Sequence, residues 1–285
     1  MKQEQDILTP AKEKAKRGIK PFSELCMMDN YLFSVATMDL ETCKSIIEIA
    51  LHIRIKEIRF KEGEKVLPGP PGKRGVRLDF VAIDGEGRLF DVEMQAHNRG
   101  NLQKRTRFYK AKRDSPLLNQ GEIGFEKLPR TYIIFICDFD LFGQGRYRYT
   151  FRNHCEEDLN LVLQDEVCTV FLNTQGTNPE EVEPELVEFM KFVRDNAGES
   201  ANEYTDERIR RMYDKVKHLR RVARMEEDYM ESEWWLEEER EIAREEGREE
   251  GRQEGREEGR QEGREEGRQE GRHERRREGR QEGRR

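Results

Sequence analysis

The chain has 285 residues, 40% of them Asp, Glu, Lys or Arg and only 34% hydrophobic, which allows one sizeable domain with polar appendages. A net charge of −7 excludes a protein that holds polyanions by overall positive charge, so any such contact must use local patches. Five cysteines without CxxC spacing argue against zinc or a disulfide framework, and no stretch approaches a membrane span or a signal-peptide apolar region, which predicts a reducing, cytoplasmic setting.

Residues 1–20 read as a flexible basic arm. Asp39–Leu51 follows as an amphipathic helix, with Leu40, Cys43, Ile46, Ile47 and Ala50 on its apolar side and Glu41, Lys44 and Glu48 opposite. A strand is predicted over Ile53–Phe60. The Pro/Gly-rich stretch Leu67–Gly75 cannot be helix and reads as a loop, a flap whose Lys73 and Arg74 are candidates for phosphate oxygens.

The segment VRLDFVAIDGEGRLFDVEMQ, from Val76 to Gln95, reads as two strands joined by a turn at Asp84–Gly87. Residues two apart on a strand share a face, so Glu93 and Gln95 project together with Asp91 beside them. If the strands pair about the turn, Asp79 approaches that group. Leu78, Phe80, Ala82, Phe90, Val92 and Met94 form the apolar counterpart. Two carboxylates and an amide at one end of a sheet outline a metal-and-water site. Hydrolysis of a phosphodiester calls for such a site. The substrate is already negative, and a hard divalent cation on carboxylate oxygens screens that charge and acidifies water.

Asn98–Lys112 reads as a helix capped by Asn98 or Asn101. Lys104, Arg105, Arg107, Lys110, Lys112 and Arg113 give it one sign of charge, with Arg105, Tyr109 and Arg113 on one face. Thr131–Phe139 reads as a buried central strand, Tyr147–Arg152 and Val167–Asn173 as further strands, and Glu181–Asn196 as an amphipathic helix with Leu186, Phe189, Met190 and Val193 inward. Tyr204–Arg244 reads as one long charged helix, on which Trp234 and Trp235 call for a packing partner. Residues 244–285 hold 14 Arg and 14 Glu in an EEGR/QEGR repeat with Gly at every fourth position, so the net charge lies entirely in residues 1–243. Like charges four apart, and a glycine cost of about 1 kcal/mol each, predict disorder or a marginal helix.

The segments RLDF, DVEMQ, RTRFYKAK and YIIFICDFDLF, in that order, resemble the Rpn family of recombination-promoting nucleases, which are PD-(D/E)XK nuclease family transposases. The resemblance covers Phe22–Asn196. It implies a restriction-endonuclease-like α/β core of order αβββαβ, a mixed sheet flanked by helices, in residues 21–200. The charged helix at 201–243 and the low-complexity tail at 244–285 would follow it. It further implies a metal-dependent DNA endonuclease with Asp79 and Glu93 as ligands of Mg²⁺ (or Mn²⁺ or Ca²⁺). The Met94 carbonyl and Glu48 are further ligand candidates, Gln95 would position the attacking water, and Lys104, Arg105, Tyr109 and Lys112 would hold DNA phosphates or support the site. Leu78 stands where the signature has Pro, and Gln95 where many members have Lys, which leaves a positive charge to be supplied by Lys104, Arg105 or Lys112. The biology implied is recombination or transposon-like mobility, with self-association through the C-terminal helix. The rival readings are a catalytically inactive DNA-binding or assembly protein and a defence or toxin-like nuclease.

Overall fold

The computed structural model describes residues 20–67, 76–117, 124–194 and 201–231, together with Arg248, Gly251, Arg252 and Gly255. The basic arm before Lys20, the Leu67–Gly75 loop beyond Leu67 itself, the part of the expected C-terminal helix beyond residue 231 with Trp234 and Trp235, and nearly all of the repeat tail lie outside the described residues. The four tail residues that are described are helical. The chain divides into two compact units, residues 1–226 and 227–285.

Asn30–Ala36 (α1) and Leu40–Leu51 (α2) open the fold. Asp39 caps α2: its Oδ2 accepts from the Thr42 N–H at 3.0 Å and from the Thr42 hydroxyl at 2.8 Å. Cys43, Ile46, Ile47 and Ala50 are fully buried, as the apolar spacing predicts. Leu40 is not: it stands in the first turn and is 48% exposed. The helix ends at His52, in the left-handed conformation at φ 51°. Asp39→Ala removes the cap and is expected to cost about 1 kcal/mol in urea unfolding. An unchanged midpoint would mean that helix packing alone fixes the start of α2.

The sheet contains Ile58–Leu67 (β1), Val76–Asp84 (β2), Leu89–Gln95 (β3), Thr131–Cys137 (β4), Arg148–Phe151 (β5) and Val167–Asn173 (β6). Its strand order is β1-β2-β3-β4-β6-β5. β1, β2 and β3 pair antiparallel, β3–β4 and β4–β6 are parallel, and β5 closes the far edge antiparallel to β6. β1 corrects the expected strand at Ile53–Phe60. It begins at Ile58 and runs through Lys61–Lys65, because pairing with β2 rather than apolar periodicity places it.

Leu102–Asp114 (α3) is the crossover between the parallel strands β3 and β4, as such a connection requires. Its Leu102 and Tyr109 pack with Val81, Leu89, Ile133 and Phe135 on one face of the sheet. On the other face Phe33 of α1 meets Phe80 at a ring separation of 5.9 Å. Pro184–Arg194 (α4) buries Leu186, Phe189, Met190 and Val193 as expected, and Glu207–Leu219 (α5) touches α1, α2 and α4. A six-stranded mixed sheet flanked by helices results, with α2, β1, β2, β3, α3 and β4 in the predicted order. The long helix expected over Tyr204–Arg244 is interrupted. α5 stops at Leu219, Arg221 and Val222 make turn bonds back to His218 and Leu219 at 2.9 and 3.1 Å, and helix resumes at residue 223. No described helix is long and apolar enough to cross a membrane, and all five cysteines are free.

Candidate active site

Strand β3 alternates Leu89, Asp91, Glu93 and Gln95 with Phe90, Val92 and Met94, and the two sets point to opposite faces. The odd-numbered set lies on the α3 side, where Leu89 packs with Leu102 and Tyr109. Two carboxylates are thereby brought under the helix: Asp91 is 0% and Glu93 2% exposed. Such burial is tolerated only with compensating charge or hydrogen bonds.

For Asp91 the compensation is Arg113, itself 5% exposed, whose Nη2 stands 3.0 Å from Asp91 Oδ2. The contact is an ion pair without well-aligned hydrogen bonds. Burial pushes the Asp91 carboxyl up to about 6, against the opposing pull of Arg113. Arg113 therefore does not reach out to a ligand. The face that carries Arg105, Tyr109 and Arg113 turns toward the sheet.

Arg105 bridges the helix to the end of β3. Its Nη1 donates to Gln95 Oε1 at 3.1 Å and its Nη2 to the Tyr109 hydroxyl at 2.6 Å, with the guanidinium 5.4 Å from the centre of the Tyr109 ring. Tyr109 is buried. Burial raises its phenol, the nearby charge of Glu93 adds to that, and the Arg105 hydrogen bond opposes it. Of Lys104, Arg105 and Lys112, the three cations named as candidates to supply the charge that Gln95 lacks, Arg105 is the one that bonds Gln95.

Asp79 lies in β2, and its side chain is outside the described residues. The β2–β3 register runs Ile83↔Leu89, Ala82↔Phe90, Val81↔Asp91 and Phe80↔Val92. The register ends at Phe80↔Val92; continued by one residue, it would set the Asp79 backbone opposite Glu93. On β3, the Leu89 N–H bonds to Arg130 O at 2.9 Å and the Gln95 carbonyl accepts from the Asp138 N–H at 3.1 Å, both toward β4. Strand alternation then turns the Met94 carbonyl the other way, toward β2.

The remaining candidates stand apart. Glu48 is engaged elsewhere: its Oε1 accepts from the Ile55 N–H at 2.8 Å and its Oε2 is 3.7 Å from Arg208. Lys104 is exposed, and Lys112 lies 5.8 Å over the ring of Phe108, on the outer side of α3. His97 is exposed beyond the strand. Lys73 and Arg74 fall outside the described residues. No group of three or more His, Cys, Asp or Glu side chains converges among the described residues.

A family model described as PD-(D/E)XK nuclease family transposase matches residues 40–245. No curated protein and no solved structure gives a match. The matched span runs from α2 through the whole sheet and both helical layers to beyond α5. On that match, which covers well over half of its length, the chain belongs to the PD-(D/E)XK nuclease family transposases.

Proposed function

We propose that this protein is a metal-dependent DNA endonuclease whose site is the C-terminal end of β3, acting in recombination or transposon-like mobility. The observation that carries the proposal is the constellation at that strand end. Glu93 is buried on the same face as Gln95, Gln95 is held by Arg105, and Asp79 follows directly on the β2–β3 pairing that ends at Phe80↔Val92, so that one more step of the register would bring it opposite Glu93.

The donor set fits a hard divalent cation. Asp91 is already balanced by Arg113, which leaves Glu93 and Asp79 as carboxylate ligands, with the Met94 carbonyl directed toward β2, the strand that carries Asp79. Oxygen donors of this number suit Mg²⁺, which keeps several of its waters, and Mn²⁺ or Ca²⁺ after it. When bound, such an ion supplies positive charge against the phosphodiester and acidifies water. Gln95 orients the attacking water through its amide. Arg105 is a positioning residue that fixes that amide, while its charge lies near the incoming phosphate. Tyr109 buttresses Arg105 from within the core. Lys104, Lys112 and the exposed Phe108 give the outer side of α3 a basic, partly aromatic surface for the DNA backbone, to which Lys73 and Arg74, which precede β2 in sequence, would add charge.

The test is nicking of supercoiled plasmid by the full chain with Mg²⁺, Mn²⁺ or Ca²⁺ and with EDTA. Cleavage is expected with at least one ion and is expected to vanish with EDTA. Folded protein that binds DNA but cuts it with none of the ions would sink the enzymatic reading in favour of a binding or assembly protein.

A further inference from the structure

The parallel strands β3, β4 and β6 end in step. Gln95 pairs with Cys137, and Cys137 with Asn173. The chain leaves all three at one edge of the sheet, where the Thr174 N–H bonds to Cys137 O at 3.0 Å. Adjacent strands lie about 4.8 Å apart, so Asn173 stands about 10 Å from Gln95.

Just past Asn173 a cleft of about 680 Å³ opens, lined by Tyr147, Thr174, Gly176, Thr177, Lys191 and Arg194 among others. Its rim is built rigidly. The Thr177 N–H bonds to Gly145 O at 2.7 Å, the Tyr147 N–H to Asn178 Oδ1 at 2.9 Å, and the Asn173 side-chain amide to Arg146 O at 3.1 Å. A Cβ on Gly176 would fall 2.3 Å from Tyr147 Cγ, so glycine is what lets the aromatic ring lie against the backbone there.

The charge of the cleft is unbalanced. Lys191 is exposed and has no ion-pair partner among the described residues. Arg194 meets Asp138 only at 4.0 Å, and that same carboxylate oxygen already accepts from the Thr174 hydroxyl at 2.7 Å. Cations in the last turn of α4 favour the helix dipole. The dipole does not explain why both line one cleft beside an aromatic ring.

We infer that this cleft, on the α4 side of the strand ends whose α3 side carries Glu93 and Gln95, holds a backbone phosphate of DNA that passes over the shared end of β3, β4 and β6. Lys191 and Arg194 are its cations, and Tyr147 is a stacking surface for the neighbouring nucleotide. The identity of the ligand rests on the nuclease reading.

The test measures binding of labelled single-stranded and duplex oligonucleotides by the full chain in EDTA, where metal-dependent cutting is suppressed, across a salt series. Lys191→Ala/Arg194→Ala is expected to weaken binding about 10-fold or more near 0.1 M salt. It should also make the log–log salt dependence shallower by about 1.4–1.8, two phosphate contacts at roughly 0.7–0.9 each. Both side chains are exposed, so the melting temperature should fall by no more than the small helix-dipole contribution of the two cations. Arg211→Ala, an exposed cation on α5, should change neither affinity nor slope. Unchanged affinity and slope in the double variant would overturn the cleft as a DNA subsite. So would inorganic phosphate or a mononucleotide competing as strongly as the oligonucleotide, since the cleft would then be a free-anion site. Plasmid cleavage by the native chain is read separately. Cutting together with unaltered binding in the double variant removes the subsite and keeps the nuclease. Lost binding in a chain that cuts nothing keeps the subsite and removes the nuclease.

Discussion

Replacing Arg113 by methionine is expected to destabilise the protein by about 3–5 kcal/mol at pH 8, because it leaves the Asp91 carboxylate buried without its cation. The two side chains are 5% and 0% exposed and 3.0 Å apart, so water cannot take over the role of the guanidinium. The loss should depend on pH in a definite direction. In the native protein burial already pushes Asp91 up to about 6, above the roughly 3.9 of an unfolded aspartate. Between those values the folded state holds a proton that the unfolded chain has shed, so the Asp91 contribution to stability falls as pH rises through that window. Without Arg113 the folded carboxyl climbs further and the window extends upward. Urea unfolding at pH 5 should therefore show a smaller deficit for Arg113→Met than unfolding at pH 8. Equal deficits at the two pH values would mean that lost packing, not a stranded charge, is the cause. Asp91→Leu combined with Arg113→Met should recover most of the stability, since apolar replacements of a buried pair are often neutral or better.

Glu93→Gln and Asp79→Asn are each expected to lower metal-dependent plasmid cleavage by roughly 10³-fold, the scale seen when one preorganised electrostatic contact to a transition state is removed. Both substitutions keep the shape of the side chain and remove its charge. Glu93 is 2% exposed beneath α3, so the isosteric amide tests ligation with little disturbance of packing. DNA affinity in EDTA should stay near the native value, because the basic outer side of α3 is untouched. Cleavage that survives both substitutions, with the same ion requirement, would place the chemistry elsewhere in the molecule.

The parts of the fold that were legible in sequence are those whose own composition decides them. β4 is a near-continuous apolar run, and β6, apolar but for Thr169 and its terminal Asn173, occupies the predicted residues, Val167–Asn173. The alternation of β3 assigned Phe90, Val92 and Met94 to the core, where all three are buried. What long-range pairing decides was not legible. β1 contains Lys61, Glu62, Gly63, Glu64 and Lys65, which no periodicity marks as strand, and its register with β2 makes it one. The break after Leu219 carries no Gly or Pro to signal it. In the candidate site, spacing put Arg105, Tyr109 and Arg113 on one face of α3, but the crossover determines that this face turns inward. One arginine therefore bonds Gln95, and another neutralises Asp91.

The bond between Arg105 and Gln95 also fixes the direction in which the amide can act. A guanidinium has donors only, so the Gln95 atom facing it must be the carbonyl oxygen, and the NH₂ group must point away. What Gln95 offers an incoming water is therefore a donor, which can hold a lone pair of the water oxygen and set its line of approach. It is not a base. In the proposed reaction Gln95 sets the trajectory of the nucleophile, and the proton the water loses goes to a different acceptor. This separates two tasks that a single lysine at the same position could combine.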